Sequence, residues 1–293
     1  MLAVVLSLAA AACFALSAMQ IDSLTGRVGA LQLARWQMTM AFGMTAAASL
    51  ALGGWRTVGL EQFAWLAGSS VVGIMLATVC FVATIQLLGA RLNALVFTLS
   101  APFALIMGYA FRGETVNLLQ GAGVGLILAG IVLAILGPGG REGARGQGAL
   151  ALGLGLGVIT ALGQAGGSLL ARPAMLAGVE PFTAMAIRSG LGAAFFLALL
   201  ALPPLRPAAW PAMPEVRRIG ASAFSGMFLG MSLLMAALAH GDVGIVTTLS
   251  STTPILILPM VWVVSRRVPA PMAWLGAALA VAGTALITLG QTA

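Results

Sequence analysis

The chain has no lysine; all 14 of its basic residues are arginines. That excludes a Walker-type phosphate loop and any Schiff-base chemistry on a lysine amine. One histidine, His240, and two cysteines, Cys13 and Cys80, are too few for a metal cluster made of protein ligands alone. Both cysteines fall in apolar runs and read as small buried hydrophobes, and no spacing argument joins them in a disulfide. Charge is scarce, at 7% of 293 residues, where a soluble domain carries about a quarter. So few charges could not cover the surface of a water-soluble fold of this size.

The seven acidic residues, Asp22, Glu61, Glu114, Glu142, Glu180, Glu215 and Asp242, all map to loops or the edges of apolar runs. No carboxylate is expected deep in a helix. His240 with Asp242 is the single His–acid pair, and it stands at a turn, which leaves little for an intramembrane enzyme to work with. The net charge of +7 is spread over loops and not gathered with aromatics into one patch, so it does not point to nucleic acid.

What the sequence has is long apolar runs, with 60% of its residues hydrophobic. Runs of about 18 residues or more read as membrane-spanning helices, since about 20 residues at ~1.5 Å rise cross a ~30 Å hydrocarbon core. Ten can be drawn, near 1–20, 30–53, 64–87, 91–111, 116–137, 148–170, 180–201, 218–240, 243–264 and 271–290. The first has no basic residue ahead of it and reads as a spanning helix, not a signal peptide.

The halves share a design. Pro102 and Pro254 are 152 apart, Arg35 and Arg188 are 153 apart, and Gly123, Gly130 and Gly137 stand 153 before Gly276, Gly283 and Gly290. Matched landmarks at nearly one spacing mark an internal duplication. Residues 1–137 form the first unit, 138–147 a Gly- and Arg-rich link, and 148–293 the second. Five helices per unit is an odd number, so the second unit enters from the opposite face. The expected fold is an all-α integral membrane protein of ten transmembrane helices in two inverted five-helix repeats, as in secondary transporters with a midplane substrate site. With the N-terminus outside, the inner loops hold Arg27, Arg91, Arg141, Arg145, Arg206, Arg217, Arg218, Arg266 and Arg267, against Arg56, Arg112 and Arg172 outside. That arginine bias favours outer termini.

Arg35 and Arg188, each early in a span, have two readings: a bidentate anchor for a substrate anion, or a structural arginine that snorkels or bonds helix-end carbonyls. Pro102 and Pro254 are expected to bend helices 4 and 9 and free the carbonyls four residues earlier, beside Thr98, Ser100, Ser250 and Ser251. The Thr247–Thr253 cluster can face the same wet cavity. Ser17, Thr78, Gln86, Gln164, Ser168 and Ser232 are uncharged polar residues within spans, and such groups tend to face protein or water. Phe14, Phe81, Phe97 and Phe228 lie on the same helices and can supply aromatic walls. Gly121 with Gly125, and Gly153 with Gly157, are expected to let helices approach closely.

Together and in order, several of these marks resemble the drug/metabolite transporter superfamily, in its ten-helix EamA-type branch. They are Arg35 and Arg188, Leu99-Ser100-Ala101-Pro102, Thr252-Thr253-Pro254, the turns before helices 5 and 10, and the glycine series. The glutamate of Arg112-Gly113-Glu114 also fits, but the second repeat has Arg266-Arg267 there. Length and texture resemble the YddG group of aromatic amino-acid exporters. Many relatives are drawn with cytoplasmic termini, opposite to the arginine count. Small multidrug relatives carry a glutamate in the first helix, where this chain has Phe14 and Ser17.

The resemblance implies a secondary transporter that exports small organic metabolites, amino acids and aromatic ones among them, by alternating access. Its cavity would lie between the repeats, walled by helices 1, 3, 4, 6, 8 and 9. A multidrug, nucleoside or sugar-derivative transporter of the same fold is the other reading. No cofactor and no metal are expected. The partners are a small-molecule substrate and membrane lipid, not nucleic acid, and a monomer is expected in a bacterial-type inner membrane.

Overall fold

The structure is a computed structural model that describes residues 2–112, 117–136, 148–207, 209–240, 246, 249–250, 252–266 and 269–292. All regular structure among them is helical. In chain order the helices are α1 (Leu2–Asp22), α2 (Ala30–Leu52), α3 (Leu60–Ser70), α4 (Ala77–Phe97), α5 (Ser100–Arg112), α6 (Leu118–Leu136), α7 (Ala149–Leu176), α8 (Pro181–Ala198), α9 (Met213–Ser222), α10 (Met231–His240), α11 (Thr253–Ser265) and α12 (Pro271–Thr292). Six continuous stretches are long and apolar enough to cross a membrane: 2–22, 60–97, 118–136, 149–176, 181–201 and 213–240. Their outward faces carry bare aliphatic side chains such as Leu60, Leu118 and Leu176, which lipid solvates and water would not.

Helix ends follow local chemistry. Glu180 opens α8: its carboxylate accepts the N–H groups of Phe182 and Thr183 at 2.9 and 2.7 Å, with Pro181 as the first helical residue. Gly53 closes α2 in the left-handed region, at φ 68°, and donates back to Leu50 and Ser49. The boundary expected between helices 3 and 4 is met inside α4, where Gly89 takes φ 80° and ψ 162° and breaks the helical path. Only glycine takes that conformation without strain.

Two features differ from the sequence reading. First, π-helical turns at Val71–Met75 and Ala223–Gly230 interrupt the stretches 60–88 and 213–240. Leu76 N–H donates five residues back to Val71 O at 3.3 Å. No periodicity in an apolar run announces such a turn, because it costs one displaced hydrogen-bond register and no special residue.

Second, Pro102 and Pro254 do not sit in the middle of bent helices. Each stands in the first turn of a new one, α5 and α11, where a missing N–H leaves no bond unmade. The break comes just before, at Thr98–Leu99 and at Thr252. The carbonyls expected to be freed are both satisfied. Thr98 O accepts from Ala101 N–H at 3.1 Å, and Ser250 O accepts from the Thr253 hydroxyl at 2.9 Å.

The most intimate helix pairs are α6 with α12, α4 with α7, and α2 with α8. Each joins one helix of the first half to one of the second. Close approach rests on small residues. A Cβ on Gly153 would meet Leu88 and one on Gly157 would meet Val96, so both pack as expected. Gly121 and Gly125 instead have nothing within 4 Å. The contact on α6 is made by Gly123 and Gly130, on the opposite side of the helix.

Candidate functional site

A cavity of about 90 Å³ lies where the two halves meet. From the first half come Phe14, Ser17 and Ala18 of α1, Gln37 of α2, Gly73 and Ile74 of the first π turn, and Ala77, Thr78, Phe81, Asn93, Ala94 and Phe97 of α4. The second half gives Thr160 and Gln164 of α7, Gly226 and Met227 of the second π turn, Met231 of α10 and Thr253 of α11. Three pairs of these are 153 residues apart: Gly73 with Gly226, Ile74 with Met227, and Thr78 with Met231. The two π turns therefore form facing walls.

One end is aromatic. Phe81 and Phe97 meet edge to face with centroids 5.9 Å apart, on either side of the Gly89 break. The polar groups are held from behind. Ser17 donates to Ser222 O at 3.0 Å, Gln37 Nε2 to Ser222 Oγ at 3.3 Å, and Gln164 Nε2 to Ser168 Oγ at 3.4 Å. Thr160 donates to Leu156 O at 2.9 Å within its own helix. The described residues of the lining include no ionisable side chain. Such a mixture of aromatic wall and a few fixed amides and hydroxyls suits a small amphipathic molecule.

Of the residues singled out from sequence, Phe14, Ser17, Thr78, Phe81, Phe97 and Gln164 line this cavity. Ser168 stands behind Gln164. Gln86 holds the chain after α1, with Nε2 donating to Val28 O at 2.8 Å. Thr98 is buried and donates to Leu95 O at 2.6 Å, so its hydroxyl is used inside its own turn. Ser100 begins α5, and Pro102 and Pro254 are buried in the first turns described above. Phe228 stacks on Phe224 at 5.4 Å and meets Phe182 at 5.1 Å, away from the lining. Ser232 is buried with an unpartnered hydroxyl. Ser250 is placed by its carbonyl, through Thr253, and Ser251 lies outside the described residues.

The arginines part company. Neither snorkels: Arg35 is 3% exposed and Arg188 1%. Arg35 donates from Nε to Phe196 O at 2.9 Å and from Nη2 to Leu205 O at 3.4 Å. Phe196 is in the last turn of α8, so Arg35 satisfies a carbonyl that the helix itself leaves open. Among the described residues Arg188 reaches only two thioethers, both through Nη1, Met185 Sδ at 3.6 Å and Met235 Sδ at 3.9 Å, and its Nε finds no partner.

Gln37, Asn93, Thr160, Thr253, Met227 and Met231 also line the cavity. Thr253 belongs to the hydroxyl cluster read from sequence, and Gln37 is an in-span amide of the same kind as Gln86. The repeat offset applied to Thr78 leads straight to Met231.

The sequence profile of the EamA-like transporter family matches residues 1–136 and, a second time, residues 151–289. The chain belongs to the EamA-like transporter family. An EamA-like protein is a membrane-embedded transporter of small molecules, and this chain is accordingly a multi-pass membrane transporter. A crystal structure described only as that of a protein aligns with 98% of this EamA-like chain and 96% of its own, with a TM-score of 0.71 at 20% identity. That likeness speaks for the fold. No curated protein matches the sequence.

Proposed function

We propose that this EamA-like protein is a secondary transporter that exports small organic metabolites, amino acids foremost and aromatic ones among them, through the cavity between its halves. The observation that carries the reading is the lining itself. Both halves contribute to one cavity, and they do so at repeat-equivalent positions in two facing π turns. A site built this way can open to either side when one half rocks against the other. The aromatic pair Phe81 and Phe97 and the amides of Gln37, Asn93 and Gln164 offer a ring slot beside hydrogen-bonding groups.

The same reading takes residues 1–137 and 148–293 as two five-helix repeats of opposite topology, joined by the 138–147 loop and giving ten spans. The α6–α12 contact supports it. Gly123 packs on Gly283 and Gly130 on Gly276, so each contact maps onto the other under the 153-residue offset. Reciprocity of that kind is what a two-fold axis produces. The working unit is a monomer in a bacterial-type inner membrane, with lipid around it. Its length and texture resemble those of the YddG group of exporters, and the reading takes it as a member of that group.

Counterflow in proteoliposomes tests the proposal. Vesicles preloaded with an unlabelled mixture of aromatic amino acids should accumulate labelled phenylalanine or tryptophan transiently. Counterflow of a nucleoside or a sugar derivative, with none of amino acids, would move the substrate class. Flux of no metabolite at all would end the transport reading.

A further inference from the structure

We infer that Arg188 is the anion-recognising charge of the cavity, so that its ligands are small amphipathic molecules bearing a carboxylate. The inference rests on the transport cavity proposed above and adds the chemistry it selects.

A buried guanidinium needs counter-charge or several good acceptors, and the desolvation cost is large without them. Among the described residues Arg188 has neither. Thioether sulfur is a weak acceptor, and two of them on Nη1, with none on Nε, leave most of the five N–H groups poorly matched. The carboxylates of Glu61, Glu180 and Glu215 are engaged elsewhere, at the starts of α3, α8 and α9. Its repeat partner Arg35 shows what a structural arginine looks like in this fold, with two backbone carbonyls in its fork. Helix propping therefore accounts for Arg35 and not for Arg188.

The place of Arg188 explains the difference. Its Nη2 lies 3.2 Å from where a side chain on Gly73 would begin, and Gly73 is part of the cavity wall. The charge thus stands directly behind Gly73, a lining glycine of the π turn that has no side chain of its own to cover it. Met235, one of its two thioether contacts, is one turn from Met231, which also lines the cavity. No acidic group among the described lining residues offsets the field. In a low-dielectric surrounding such a charge acts across the gap and favours an anion over an amide or an ammonium. π turns are sites of local register change, and a small shift at Gly73 brings the guanidinium fork into direct reach of a carboxylate.

The test uses phenylacetate and phenylacetamide, which differ in charge and hardly in shape. Binding to the purified full-length protein is read from ligand-dependent thermal shifts. The wild type should bind the acid at least tenfold more tightly than the amide. Arg188→Gln should bring the two within about twofold. Arg35→Gln, which alters only the helix-end contact, should keep the preference. If Arg188→Gln does not fold, Met185→Glu serves instead. It sets a carboxylate where a sulfur now stands 3.6 Å from Nη1, neutralises the charge internally, and should abolish the preference.

Equal binding of acid and amide by the wild type overturns the inference, as does failure of both to bind. An acid preference that survives Arg188→Gln or Met185→Glu overturns it too. Counterflow with no acid preference would sink the arginine's role and leave transport standing. Acid binding without counterflow of any metabolite would do the reverse.

Discussion

Gly123 and Gly283 touch backbone to backbone: a Cβ on either would stand 2.5 Å from the carbonyl oxygen of the other. No side chain fits there, and neither backbone can retreat without unpacking the α6–α12 pair. The first prediction follows from that distance. Gly123→Val or Gly283→Val should lower thermal stability in detergent by the equivalent of about 1–3 kcal/mol or more, the usual cost of overpacking a tight contact. Gly121→Ala and Gly125→Ala, two positions to either side with open space, should leave it unchanged or slightly raised, since alanine is the better helix former. Melting curves of the four variants decide it.

Arg35→Gln should destabilise the protein by roughly 1–3 kcal/mol, the range for losing hydrogen bonds made by a charged group at a buried acceptor. Phe196 O, in the last turn of α8, is the acceptor left open. Counterflow per folded molecule should stay near the wild-type rate. A variant that is fully stable but transports nothing would make Arg35 part of the site instead.

Gly226 faces Ser17 across the cavity wall, and a Cβ there would lie 2.8 Å from the Ser17 Cβ. Gly226→Ala should therefore push α1 off the second π turn and cut transport several-fold. Ser17→Gly removes the obstructing atoms. The double variant should then recover more activity than the two single effects predict, a coupling that a double-mutant cycle reads directly.

Accessibility should differ sharply over one break. With Cys13 and Cys80 replaced by alanine, a cysteine at Thr253 or Phe97 should react with a water-soluble thiol reagent, and substrate should protect it, because both positions line the cavity. A cysteine at Thr98 should not react, since that side chain is 2% exposed and turned to Leu95 O. Strong labelling at 98 with none at 253 would mean that the cavity is on the wrong side of the break.

Glu180→Gln should weaken the start of α8 by about 0.5–2 kcal/mol, the range for a lost N-cap. Its carboxylate accepts from two N–H groups and from the Thr183 hydroxyl at 2.7 Å. Transport by the folded fraction should not change. Loss of gradient-driven flux at full stability would instead make Glu180 a coupling carboxylate.

The membrane class and the all-helical fold were legible in the sequence because both are properties of composition and run length. Backbone groups in lipid must be satisfied within the segment, so apolar runs of that length have one solution. The duplication was legible too, since Arg35, Gly123 and Gly130 have partners at an offset of 153, and Pro102 at 152, whatever the fold. So was the break near Gly89, at an expected boundary; Pro102 and Pro254 marked the right places but not the outcome, since each starts a new helix where a bend was expected. What the tertiary structure decided was which polar side chain is used up at home and which is presented. Gln86 and Gln37 look alike in sequence, yet Gln86 donates to Val28 O and Gln37 lines the cavity. Arg35 and Arg188 occupy equivalent positions, yet only Arg35 finds carbonyls. The π turn at Val71–Met75 packs on α7 and the one at Ala223–Gly230 on α1, each from the opposite half, and apolar periodicity carries no trace of them. Partners in space set these outcomes. A chain so poor in charge gives few hints of where those partners lie, because packing of small apolar residues is nearly degenerate in sequence and specific only in three dimensions.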